Sequence, residues 1–228
     1  KQSDDMKNDS TSLNQHEKQF LIDQLKKMGL GDKRVHYHKI WAVEEGKKFQ
    51  NRINDYLQQD ILALVVNFVD ILAHKSSQMD VLKEMVPDES GYRTAVRSWL
   101  NHSWLLQVLK KLSENNFTVI LTSDHGSIRV QRDVMVAADR EASSGVRYKY
   151  GRNLNTKEKN AIVIKEPEKF RLPVFGPQPS YIIAKDDAYF IYPNQAHKYQ
   201  SKFKNSFQHG GVSMEEMMVP VAIMKGRG

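Results

Sequence analysis

Two continuous apolar runs, each ending in polar side chains able to bind metal, limit this chain more than any other feature. "ILALVVNF" (61–68) is followed by Asp70 and His74, and "FTVILTS" (117–123) by Asp124, His125 and Gly126. Branched apolar runs without alternation belong to strands buried on both faces. Between them, residues 91–114 carry Trp99, Leu100, Trp104, Leu105, Val108, Leu109 and Leu112 at helical spacing. Strand, helix, strand in this order predicts a right-handed crossover and parallel pairing. The expected class is α/β, a central, mostly parallel sheet flanked by helices.

Composition narrows the chemistry. The 228 residues suffice for one large domain, and no apolar stretch approaches membrane-spanning length, so no membrane insertion is expected. There are no cysteines, which fits a cytoplasmic protein and leaves His, Asp and Glu as the metal ligands. The formal charge of +7, from 34 Lys and Arg against 27 Asp and Glu, favours anionic partners.

Residues 1–15 are polar and read as a flexible lead-in, with one domain over 16–228. Residues 16–28 show helical spacing, and "RVHYHKIWAV" alternates as a strand with His36 and His38 on one face. "EEGKKFQNRINDYLQQ" reads as an exposed helix, residues 127–170 as polar and irregular, and "SYIIAKDDAYFIYP" as a hairpin. Ser213 and Glu216 fit a capping box for a short helix before the last strand.

In open α/β sheets ligands bind beyond the carboxyl ends of the strands. Asp70 and Asp124 follow such ends, and "FQHGGVS" adds His209 on a loop that two glycines free to turn. The candidate ligands are Asp70, His74, Asp124, His125 and His209. Five exceed one tetrahedral ion with an open position and point to two metals clamping a phosphoryl group. Each also has an ordinary alternative. His74 fits a helix surface, Asp70 and Asp124 fit helix caps, and His209 fits a loop hydrogen bond. Their joint occurrence favours the metal site. His36, His38 and His102 are read as structural residues.

The ordered set Asp-x-x-x-His, Asp-His-Gly and His-Gly resembles the alkaline phosphatase superfamily. The strings "VVNFVDILAH", "LTSDHGSIRV", "RYKYGRNLN" and "FQHGGVSMEEMMVPV" are similar to its PglZ branch, and more narrowly to the effector domain of PorX-like response regulators of Bacteroidetes. The resemblance implies that Asp70, His74 and His209 hold one zinc and Asp124 and His125 a second. The early Asp ligand and the Ser or Thr nucleophile of that family do not stand in these residues. They are expected upstream of Lys1, with the first strand and its helix, so this fragment alone is expected to be inactive.

The resemblance implies phosphodiester cleavage, of small linear or cyclic oligonucleotides for example, controlled by an upstream receiver domain and serving type IX secretion. Arg147, Lys149 and Arg152 are candidate phosphate contacts, with Tyr148 and Tyr150 stacking on bases. The competing interpretation is a signalling interaction module with a structural or vestigial metal, binding secretion or transcription partners. Met214, Met217 and Met218 could then line such a surface, although core packing is the expectation for them. Homodimerisation is open in either case.

Overall fold

A computed structural model describes residues 16–76, 79–137, 145–174 and 176–226, so the lead-in 1–15 lies outside the described residues. The chain runs α1 (Glu17–Lys27), β1 (Val35–Ile40), α2 (Val43–Asn51) and β2 (Ile61–Val66). Helices α3 (Phe68–Ser76), α4 (Asp80–Met85), α5 (Glu89–His102) and α6 (Trp104–Glu114) follow. Next come β3 (Val119–Thr122), β4 (Ile128–Arg129), β5 (Arg132–Met135), β6 (Tyr148–Arg152) and β7 (Ala161–Ile164). Then β8 (Pro179–Ala184), β9 (Ala188–Ile191), α7 (Ala196–Phe203), β10 (Phe207–Gln208), α8 (Met214–Met217) and β11 (Val221–Met224) complete it.

The α/β class holds, with a different sheet plan. β1 and β2 pair in parallel from Val35↔Ile61 to Ile40↔Val66. β3 pairs antiparallel with β11, from Val119↔Met224 to Thr122↔Val221, instead of lying parallel beside β2. Both β2 and β3 still reach α6. Leu62, Leu64, Val66, Phe117 and Val119 pack against the buried cluster of Ile40, Phe49, Ile53, Trp104, Leu105, Val108 and Leu112. Burial against a shared helix meets the hydrophobic demand of both runs without direct pairing.

Other expectations also change. The helix expected over 91–114 is two, because Ser103 is extended (φ −86°, ψ 166°). The break lets Trp99 stack on Phe68 at 4.2 Å while Trp104 enters the α6 core. The 44–59 stretch is not simply exposed: Phe49 and Ile53 are core residues. β8 and β9 do not form a hairpin. β8 lies between β6 and β7, and β9 pairs in parallel with β5. Ile182, Ala184, Ala188 and Phe190 share one buried cluster, so the turn at Lys185-Asp186-Asp187 passes the chain between two packed layers.

The basic segment of the irregular stretch is strand β6, with an inverted alternation. Arg147 and Lys149 are fully buried, whereas Tyr148 and Tyr150 are half-buried on the other face. The expected phosphate contacts from Arg147 and Lys149 are therefore corrected: neither side chain reaches solvent. Lys149 Nζ lies 4.7 Å from the centre of the Tyr192 ring. Desolvation lowers its pKa from 10.5 to about 8.

That burial has a pH signature. Between about 8 and 10.5 the unfolded state holds a proton that folded Lys149 has released, so stability rises with pH across that window. Lys149→Met should stabilise the protein at pH 7 by on the order of 1–3 kcal/mol. The gain should shrink as the pH rises to 10. Thermal melts of both proteins across this range check it, and a constant difference would refute it.

Candidate metal centre

β2 ends at Val66, and Asp70 lies in the first turn of α3 with His74 one turn later. Residues four apart share a helix face, so carboxylate and imidazole point the same way. Leu72 and Ala73 on the buried side of α3 pack with Phe207 and Val86, and Phe207 stands two residues before His209. This contact carries His74 to His209. The third approach is set by register. β10 pairs antiparallel with β4, Phe207↔Arg129 and Gln208↔Ile128. The residue after β10 therefore meets the loop before β4, and His209 stacks on His125 with ring centres 4.0 Å apart.

The donor atoms converge. His74 Nε2 and His209 Nε2 are 2.9 Å apart. Asp70 Oδ1 lies 3.4 Å from the first and 3.3 Å from the second. That oxygen is buried and has no aligned hydrogen-bond partner. Burial pushes its carboxyl up, but the facing His209 and His74 rings outweigh this and hold it well below the usual carboxylate range. Ligand atoms of Asp70, His125 and His209 all lie within 4.8 Å of one another. His125 Nδ1 is 3.0 Å from the Gly126 carbonyl; donating its proton there leaves Nε2 as an open ligand. Asp124 stands at the rim, with Oδ2 3.8 Å from His125 Nε2 and its side chain 88% exposed.

The residues fit zinc. Bonds of 2.0–2.1 Å in a tetrahedron separate the ligand atoms by roughly 3.3 Å. The Asp70–His74–His209 triangle has edges of 2.9, 3.3 and 3.4 Å, with its one carboxylate oxygen unsatisfied.

A buried clamp holds the two histidine loops. Arg147 Nε donates to Glu216 Oε1 at 3.0 Å, its Nη2 donates to Oε2, and its Nη1 donates to the Ala188 carbonyl. The Glu216 carboxylate also accepts from Gly211 N at 2.9 Å and Ser213 N at 3.1 Å. The Glu216 carbonyl accepts from Gly126 N at 2.9 Å. One residue thus fixes the His209 loop through its side chain and the His125 loop through its backbone. A Cβ on Gly126 would overlap the Glu215 carbonyl, and one on Gly211 would overlap the Arg147 guanidinium. Burial pushes the Glu216 carboxyl up, but the Arg147 guanidinium and the Gly211 amide outweigh this and hold it below the usual carboxylate range.

Sequence reading did not find this clamp, beyond the Ser213–Glu216 capping box that the structure contains. It also missed Asn67, whose Nδ2 is buried without a partner just ahead of α3. Tyr92 is a third addition: it stacks on Phe207 at 4.6 Å and donates to the Val69 carbonyl at 3.2 Å. Of the substrate candidates, Arg152 and Tyr148 keep some exposure, and Arg147 serves the clamp.

Glu216→Gln should cost about 3–5 kcal/mol, because it strands a buried guanidinium. The urea midpoint reads this directly. An Arg147→Met, Glu216→Leu double variant should recover much of that stability, since both charges are gone. It should still bind zinc about 10–100-fold more weakly, because the loops lose their tie. Unchanged zinc affinity in the double variant would refute the clamp's role.

No curated protein sequence matches the chain. The family model of the BREX system PglZ alkaline phosphatase-like domain matches residues 4–224, nearly the whole sequence. Phosphoester hydrolysis is the chemistry typical of alkaline-phosphatase-like domains, and the chain belongs to the PglZ family.

Proposed function

We propose that this domain is a zinc-dependent phosphodiesterase-type hydrolase whose metal centre holds one ion on Asp70, His74 and His209 and a second on Asp124 and His125. The observation that carries this reading is the meeting of three imidazoles and one unsatisfied buried carboxylate oxygen from three separate segments. Zinc held there would supply a Lewis acid for a phosphoryl oxygen. The chain's own residues do the preparatory work. Asp70 brings the negative charge that offsets a dication, the Gly126 carbonyl sets the His125 tautomer, and the clamp fixes both loops in advance. Small linear or cyclic oligonucleotides are the proposed substrate class, supported by the chain's charge of +7. The narrower placement as a cytoplasmic response-regulator effector serving type IX secretion rests on the motif strings.

One observation favours a second reading, the signalling interaction module. Met214, Met217 and Met218 are 71%, 66% and 67% exposed, and Ile120, Val221 and Ile223 are exposed beside them in sequence and strand pairing. Exposed apolar patches of this kind mark interaction surfaces.

Calorimetry with zinc tests the metal centre. His74→Ala should lower affinity at least about tenfold, and Asp124→Asn should lower it less, because Asp124 is at the exposed rim. Equal losses would contradict the proposed unequal roles. The protein, given zinc and a chromogenic phosphodiester, separates the two readings. Hydrolysis abolished by His125→Ala supports the enzyme, and tight zinc binding without hydrolysis supports the module.

A further inference from the structure

A cavity of about 270 Å³ opens where α4, β4 and the end of α7 meet. Four cations line it: Lys83 from α4, Arg129 from β4, Lys202 from the last turn of α7 and Lys204 just beyond. No acidic side chain stands among the described residues of its walls. Like charges gathered around one concavity repel each other, and its low-dielectric walls focus their field. A lysine at a helix C-terminus complements the helix dipole, which accounts for Lys202. It does not account for Lys83 and Arg129, which come from other segments.

Arg129 is half-buried, and its Nε donates to the Asn205 carbonyl at 3.2 Å. That bond orients the guanidinium and leaves both Nη groups, which have no hydrogen-bond or ion-pair partner among the described residues. The turn that holds it is itself tied to β4 and the residue after it. Asn205 N donates to the Val130 carbonyl at 2.7 Å, and Val130 N donates to the Ser206 carbonyl at 2.9 Å. Asn205 takes the left-handed conformation, φ +64°, so the chain turns sharply after Lys204. Lys204 is exposed and makes no ion pair among the described residues. The fork of Arg129 is thus held ready, with a second cation beside the same turn.

We infer that this cavity is a binding site for a phosphate dianion, as the free ion or as the terminal group of a small phosphate monoester. The two Nη groups of Arg129 match two phosphate oxygens side by side, and Lys204 adds a point charge. Lys83 and Lys202 strengthen the positive field around them. The volume of about 270 Å³ lies just under the roughly 300–1,000 Å³ of small-molecule clefts, which leaves room for part of an ester group. The cavity shares no residue with the metal centre, so this site stands apart from the hydrolase reading.

The test titrates the protein calorimetrically with inorganic phosphate and, separately, with ribose 5-phosphate. EDTA is present in both, so that zinc-bound phosphate does not contribute. A Kd of about 1 mM or below is expected for at least one of them. Arg129→Gln should weaken it at least about tenfold, and Lys204→Gln about two- to fivefold, as suits an exposed cation. Lys110→Gln removes the same charge from an exposed position of α6 outside the cavity and should leave the affinity unchanged. Arg129→Gln also loses the bond to Asn205; Lys204→Gln breaks no side-chain hydrogen bond and serves as the test if the first variant fails to fold. Tighter binding of ribose 5-phosphate supports a site for monoesters, and tighter binding of inorganic phosphate a site for the free ion. Absence of binding by both, or equal losses in Lys204→Gln and Lys110→Gln, would overturn the inference.

Discussion

Glu216 is the constraint on which the rest of the site depends. Its carboxylate is buried, and it is stable there only because the Arg147 guanidinium meets it side by side and two loop amides complete its shell. A single-residue exchange on either side would leave a charge uncompensated in the interior. The pair therefore links four parts of the chain at once: the start of β6, the His209 loop, the cap of α8 and, through the Glu216 carbonyl, the Asp124-His125-Gly126 loop. Interiors of this kind tolerate few alternative arrangements, so the two histidine loops are preset before any ion arrives.

Around that clamp the centre is assembled by ordinary packing. α3 presents Asp70 and His74 from its first two turns, and the contact of Leu72 and Ala73 with Phe207 sets their distance to His209. The antiparallel β10–β4 register then stacks His125 on His209. The outcome is a group of ligands with short separations and one buried carboxylate oxygen lacking an aligned donor. Such a group is costly in a protein with nothing to bind there. Among the described residues no helix is long and apolar enough to cross a membrane. The exposed apolar residues of β3, β11 and α8 are not part of a spanning helix.

Much of the local structure could be read in advance. The apolar runs at 61–66 and 119–122 are strands, the 35–40 alternation is a strand, and Ser213 caps its helix with Glu216. Periodicity and capping are local, and local physics decides them. The errors have a common origin in long-range packing. The pairing of β3 with β11 and not β2, the break at Ser103, and the separation of β8 from β9 each reflect a partner distant in sequence. The same holds for "RYKYGR". Its alternation was visible, but which face would be inside was not, and the usual expectation of cations outside is reversed by Glu216 and Tyr192.

By itself the sequence determined the α/β class, the strand-and-helix supports of the Asp-x-x-x-His and Asp-His-Gly motifs, and the residue types able to hold a hard or borderline cation. Those follow from periodicity, turn chemistry and ligand character, which short stretches carry within themselves. The tertiary structure alone decided that Asp70, His74, His125 and His209 lie in one place and that Arg147 and Lys149 are interior. It alone decided that Tyr148 of β6 stands beside Gly210, the residue after His209. These are matters of distance between segments up to 139 positions apart, as from Asp70 to His209. Only the summed packing of helices, strand registers and one buried ion pair fixes such distances.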